Sequence, residues 1–285
     1  MKHLSIIMTA TALGAVALFT ACDNVREDDR YIKTDGVKPE RNVLLEDFTG
    51  QNCLNCPAAH ETIELLEEQY GREHLIAVSI HSGAMAKNQN RNNFLEGSVG
   101  LMNEESQRVA DSYSITQWPM GVVDMKGSPL DYLQWAAAVS DAFRVNTDVA
   151  IHATVKYEGD IDGKTDEELG TITVTATVTS LAEHPDARVQ FWITENGIVA
   201  EQKLADSSVK KDYVHDNVFR AMVFGDNTRG KLCPLPAGQP VTVDGKIQCR
   251  YNKKEVWKVN NLYVTAFVYD GSVLNVTRVK VIPDT

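Results

Sequence analysis

From Thr171 to Thr179 the chain reads Thr-Ile-Thr-Val-Thr-Ala-Thr-Val-Thr, with polar and apolar side chains alternating without a break. A period of two gathers the apolar groups on one face of an extended strand, whereas a helix would scatter them. Similar alternation runs through Asp148 to Tyr157, Val189 to Thr194, Leu262 to Tyr269 and Val273 to Ile282. The pairs Asn196-Gly197, Asp244-Gly245 and Asp270-Gly271 punctuate these runs as turn signals. Residues 146–285 therefore predict an all-β, immunoglobulin-like sandwich.

Residues 41–145 carry a different pattern. Asn42 to Phe48 is a strand rich in Val and Leu. Pro57 to Tyr70 is an amphipathic helix, apolar at Ala58, Ala59, Ile63, Leu65 and Leu66, with Pro in its first turn and Gly71 closing it. Leu75 to Ile80 is a continuous apolar run, as a central parallel strand requires. A helix from Glu104, a strand from Met120 to Met125 and a helix from Leu130 to Val145 complete the series. Strands alternating with helices predict a βαβ sheet covered on both faces.

Between the first strand and the first helix stands Cys53-Leu54-Asn55-Cys56. Two cysteines at a helix N-terminus meet free backbone N–H groups and the positive end of the dipole, which favour a thiolate. Such a pair can cycle between dithiol and disulfide, with Cys53 as the exposed, attacking sulfur and Cys56 as the resolving thiol. The alternative is a structural bridge that never turns over. A metal reading joins Cys53, Cys56 and His60, but three ligands leave zinc one short of closure. No metal and no cofactor is therefore expected. Cys233 and Cys249 bracket a stretch rich in Pro and Gly and predict a structural disulfide of about 3 kcal/mol across that loop.

Residues 1–21 have a polar start at Lys2 and His3 and an apolar run from Leu4 to Phe19, and they end in small residues before Cys22. That run is short for a membrane span and predicts a cleavable export signal. Phe19-Thr20-Ala21-Cys22 resembles a bacterial lipobox, which implies that Cys22 becomes a lipid-modified first residue; a plain signal with an incidental cysteine is the alternative. Residues 22–40 are polar and charged and predict a flexible tether. The whole chain carries a formal charge of −11. An acidic chain argues against nucleic-acid binding and against electrostatic docking on a membrane. The remaining cysteines form an even set, which suits an oxidising compartment.

Asp47-Phe48-Thr49-Gly50-Gln51-Asn52-Cys53 resembles the active-site strand of the thioredoxin fold. That resemblance implies that Asp47 accepts a proton from the resolving thiol, although a capping or solvated carboxylate fits the position equally. The segment Val109 to Pro119 resembles the approach to that fold's cis-proline, which makes Pro119 the proline that lies against the cysteines. Asn52, Pro57 and Trp118 stand where the pattern usually has a Trp, a basic residue and a smaller residue. The layout of lipobox, thioredoxin-like domain and β domain is similar to the twenty-eight-kilodalton outer-membrane protein family of Bacteroidetes lipoproteins. Tyr213 to Arg220 and Leu262 to Asp270 look like parts of that family.

These observations predict a thioredoxin-like α/β domain over 41–145, followed by the sandwich over 146–285. They place the chain at the outer membrane, lipid-anchored through Cys22, on its periplasmic or cell-surface face. Two functions follow. One is reduction or isomerisation of disulfides in exported proteins through Cys53 and Cys56, with Asp47 and Pro119 in support. The other is a non-enzymatic surface lipoprotein for adhesion or complex scaffolding, in which Trp192 and Trp257 serve either binding or the core.

Overall fold

The computed structural model describes residues 40–89, 99–159, 170–225, 227–252 and 255–284. The export signal, Cys22 and the tether lie outside the described residues.

Strand β1 (Val43–Thr49) leads into α1 (Cys56–Tyr70), which returns the chain to β2 (Leu75–His81). Next come α2 (Glu104–Ser112), β3 (Met120–Val123), β4 (Leu130–Asp131) and α3 (Trp135–Phe143). The strands β5 (Val149–Glu158), β6 (Thr171–Ser180) and β7 (Arg188–Glu195) follow. A two-stranded unit of β8 (Ile198–Lys203) and β9 (Val209–His215) precedes β10 (Val218–Met222) and β11 (Lys231–Leu232). The chain ends with β12 (Val241–Gln248), the short pair β13 (Tyr251–Asn252) and β14 (Glu255–Val256), then β15 (Leu262–Asp270) and β16 (Ser272–Lys280).

Local chemistry accounts for the helix boundaries. In α1, Pro57 occupies the first turn, where its missing N–H costs nothing, and Gly71 ends the helix at φ 88°. The Asn103 side chain accepts from the Ser106 N–H while the Ser106 hydroxyl accepts from the Asn103 N–H, a reciprocal capping box at the start of α2.

The expected thioredoxin-like α/β domain followed by a separate sandwich is not what the chain forms. Strands dominate, and one mixed nine-stranded sheet runs β16-β15-β7-β10-β2-β1-β3-β4, with β11 joined to β7. In it β1 pairs parallel with β2 and antiparallel with β3. The strand β10 joins β2 at Val218 and Ser79. Five strands from beyond residue 146, β7, β10, β11, β15 and β16, thus extend the sheet begun by β1 and β2. Hydrophobic periodicity reads each strand in isolation and is blind to which edges later pair, which is why the two halves looked separable.

A second sheet, ordered β12-β6-β5, faces the β7 and β15 region across an apolar layer that includes Ile172, Val174, Val189, Phe191 and Val264. The sandwich therefore shares its larger sheet with the N-terminal strands. Trp192, from the second half, sits edge-on to Phe219 and Phe267 with ring centroids 5.3 and 5.1 Å away. These rings pack in one core with Leu44, Phe48 and Ile76 from β1 and β2. Each such buried side chain contributes about 1.5–3 kcal/mol, so this core holds the two halves together. Trp192 and Trp257 are both buried, which settles them as core residues.

The other face of β1 and β2 lies under α1 and α3. Val43, Leu45, Leu75 and Ala77 pack there against Ala59, Ile63 and Trp135. Strand alternation puts Asp47, Thr49, Ser79 and His81 further along this same face, at the carboxyl ends of both strands. A face that begins apolar therefore ends polar, beneath the first turns of α1.

Candidate functional site

Cys53 lies in the loop after β1 and Cys56 is the first residue of α1; the two form a disulfide with Cα atoms 5.5 Å apart. The sequence placed Cys53 as the exposed sulfur. The structure corrects this: Cys53 is 3% exposed and Cys56 0%.

Three segments close over the loop. Gly50 is pressed so tightly on Met85 that an added Cβ would stand 2.4 Å from its carbonyl, and the Asn52 N–H donates to the Met85 carbonyl at 2.8 Å. The Gln51 side chain donates to the carbonyls of Val99 and Glu201, and it accepts from the Leu101 N–H. From β8, the Gln202 amide donates to the Cys53 carbonyl at 3.0 Å, while the Lys203 N–H donates to the Gln51 carbonyl at 2.8 Å. An ion pair between Lys87 and Glu201 braces the same corner.

Pro119 follows a cis peptide bond after Trp118. The Trp118 indole N–H donates to the Ser82 hydroxyl at 3.2 Å and its ring lies over Gly83. Ser82 in turn donates its N–H to the Thr49 carbonyl, so the 118–119 segment reaches β1 at the threshold of the cysteine loop.

Asp47 is fully buried, and neither of its carboxylate oxygens has a hydrogen-bond partner. Beside it stands His60 of α1, whose Nε2 lies 3.5 Å from Oδ2. His60 also meets the Thr49 hydroxyl through Nε2 at 3.0 Å and the Tyr213 hydroxyl through Nδ1 at 2.9 Å. Around this pair stand two histidines that the sequence gave no reason to single out. His81 ends β2 and His215 ends β9, and both are 1% exposed. Their ring centroids are 5.3 Å apart, and His215 lies 6.4 Å from His60.

Electrostatics follow from burial. Desolvation, reinforced by His215 and His60, holds His81 well below the usual imidazole range. Burial, with His60 adding to it, pulls His215 down to about 3. Both rings are therefore neutral at ordinary pH. Beyond them, a cavity of about 40 Å³ is lined by His60, Ser79, Tyr213 and the carboxylates of Glu64, Glu67 and Asp216.

Cys233 and Cys249 were expected to form a staple. The structure holds them instead as two free, buried thiols. Cys233 lines one pocket with Val241 to Asp244, whereas Cys249 lies six positions beyond Val243 at the far end of the extended β12. At about 3.3 Å per residue that is roughly 20 Å of strand, whereas a disulfide needs Cα atoms within about 7 Å. Desolvation raises both thiols, Cys249 to about 12.

The fold and this buried corner define a protein of mixed α and β structure, and comparison with known proteins gives it a family. The family described as "Outer membrane protein Omp28" matches residues 106–285, and the chain belongs to it. No curated protein matches the chain. Among solved structures, "HBP35 of Porphyromonas gingivalis" has a TM-score of 0.57 at 16% identity, covering 85% of this chain and 76% of its own. That likeness is one of fold. A domain of the outer membrane lipoprotein Omp28 from Porphyromonas gingivalis is 19% identical, covers 49% of this chain and 92% of its own, and has a TM-score of 0.31. The matched family segment begins after the cysteine loop. Family membership accords with the lipid-anchored, outer-membrane placement, and no helix among the described residues is long and apolar enough to cross a membrane.

Proposed function

We propose that this chain is an outer-membrane lipoprotein, anchored through an acylated Cys22, that works by binding or scaffolding at the envelope. In this reading Cys53–Cys56 is a structural bridge. The observation that carries it is the sealed loop: both sulfurs are buried, and Gln202 from the far half of the chain holds the Cys53 carbonyl. A disulfide exchanges only when a thiolate reaches one sulfur in line, so a sulfur under β8 and Met85 waits on a local opening. Family membership supports the outer-membrane part of the reading and leaves the cysteine pair aside, because the matched segment does not include it.

The second reading, reduction or isomerisation of disulfides in exported proteins, draws on the placement of Cys56 at the start of α1. Equilibration of the full chain with dithiothreitol buffers separates the two. A reduction potential below about −300 mV is expected of a structural bridge. A potential between about −270 and −120 mV, together with mixed disulfides trapped by Cys56→Ser, would establish turnover and overturn the first reading. For the binding role, recovery of a specific envelope partner with the wild-type chain, undiminished in Cys53→Ser, is the supporting result.

A further inference from the structure

At the opposite end of β1 from the cysteine loop, a cavity of about 280 Å³ opens between the N-terminal elements and the sandwich. β1 is 7 residues long, so roughly 20 Å of strand lies between this cavity and the disulfide. Its walls come from Arg41 ahead of β1, the turn at 123–126, β4, α3, the link at 145–148 and the first residues of β16. The volume sits at the small end of the range for small-molecule sites. We propose that this cavity binds a small zwitterion with an apolar side chain, a free amino acid of about the size of leucine.

Polar contacts fix the walls in advance. Arg41 pairs with the Asp124 carboxylate and donates to the carbonyls of Val273 and Leu274, which ties the approach to β1 both to the turn and to β16. Asp124 also accepts from the Leu44 N–H at 3.0 Å, and its carbonyl accepts from the Val273 N–H at 2.7 Å. These contacts hold Asp124 and Met125 at φ 52° and 53°, in a turn closed by the Lys126 N–H donating to the Val123 carbonyl at 3.0 Å. A turn with two left-handed residues usually takes Asn-Gly. Two non-glycine residues there are strained, and such strain persists where the surroundings over-determine it, as they do at ligand clamps.

Charge selects the ligand. In the lining, Arg41 and Asp124 neutralise each other, and Asp141 is engaged at the surface by Arg144 at 3.0 Å. Asp148 meets His184 through Oδ2 at 3.0 Å, and its other oxygen accepts nothing among the described residues. Lys126 makes no ion pair or side-chain hydrogen bond among the described residues and acts on Asp124 only through space. The lining therefore offers one uncommitted ammonium and one half-engaged carboxylate, the complement of an α-carboxylate and an α-ammonium. A plain anion would meet the carboxylates of Asp141 and Asp148, and a plain cation would meet Lys126. Ala138, Ala142, Val145 and Leu274 supply apolar surface for the side chain. This site goes beyond the binding role proposed above, and its occupancy is independent of the cysteine pair.

Calorimetric titration of the full-length chain with L-leucine tests the site, and saturable binding of one leucine per chain is expected. L-leucinamide lacks the carboxylate, N-acetyl-L-leucine lacks the ammonium and glycine lacks the side chain. Each should bind about 10-fold or more weakly. Lys126→Ala, at an exposed turn position, should weaken leucine by a similar factor without weakening leucinamide, because only the carboxylate meets that ammonium. Absence of saturable leucine binding below about 1 mM overturns the proposal. So does equal binding of leucine and any of the three analogues, or a Lys126→Ala variant that spares leucine or weakens both ligands alike. If that variant lacks the wild-type far-UV spectrum, the ligand series on the wild-type chain decides alone.

Discussion

The Gln202 side-chain amide donates to the Cys53 carbonyl at 3.0 Å, and 149 positions of sequence separate the two residues. A strand from the second half of the chain therefore clamps the loop that carries the chain's most reactive-looking motif. Gln202 is itself fully buried, so the contact is made away from water, where losing it costs most.

Gln202→Ala should strip this hydrogen bond from the Cys53 carbonyl and leave a void against the loop. The expected loss is about 1–3 kcal/mol of stability, with faster reduction of Cys53–Cys56 by dithiothreitol in the folded protein. Urea unfolding measures the first, and thiol release under native conditions measures the second. An unchanged reduction rate would mean that the clamp does not control access to the sulfurs.

The free thiols at Cys233 and Cys249 make a separate prediction, best read in Cys22→Ser so that the first cysteine adds no signal. In the folded, unreduced chain neither should react promptly with a thiol reagent, because both are buried with raised proton affinity. Denaturation without reductant should then release two thiols per chain. Release of none would restore the staple expected from the sequence.

Glu46 gives the fold a pH dependence. Burial pushes its carboxyl up to about 8, against the lowering effect of the Tyr113 hydroxyl that donates to it at 2.8 Å. The folded value lies above the unfolded one. The group's contribution is therefore fully present below about pH 4.5 and is lost progressively as pH rises toward 8. Glu46→Gln keeps the shape and removes the ionisation, so it should be more stable than wild type at pH 8 by more than about 1 kcal/mol and near wild type at pH 4. Urea denaturation at the two pH values checks it; equal differences at both would refute the assignment.

Local elements were legible in the sequence because short-range periodicity encodes them. The run Thr171 to Thr179 falls wholly within β6, and Pro57 to Tyr70 within α1. The site was legible only where a motif announced it, in Cys53 and Cys56. Nothing near His81 or His215 marks them, since each is an isolated histidine at a strand end, and their meeting depends on β10 joining β2 beside Ser79. Pairing across such distances has no local signature. For the same reason Cys233 and Cys249 looked like partners, because an even cysteine count says nothing about which face or which end of a strand each occupies.

The junction of Val218 with Ser79 also dictates an order of events. A chain that emerges with its amino end first presents β1 and β2 long before β10, β7 and β15 exist to complete their sheet. Until then β2 has an open edge, and Leu44, Phe48 and Ile76 have no Trp192, Phe219 or Phe267 to cover them. Unpaired edges and bare apolar faces invite association with neighbouring chains, and native pairings between distant segments form slowly. Folding of this protein is therefore expected to be completed late, with β2 open to chaperones and proteases until its last strands arrive.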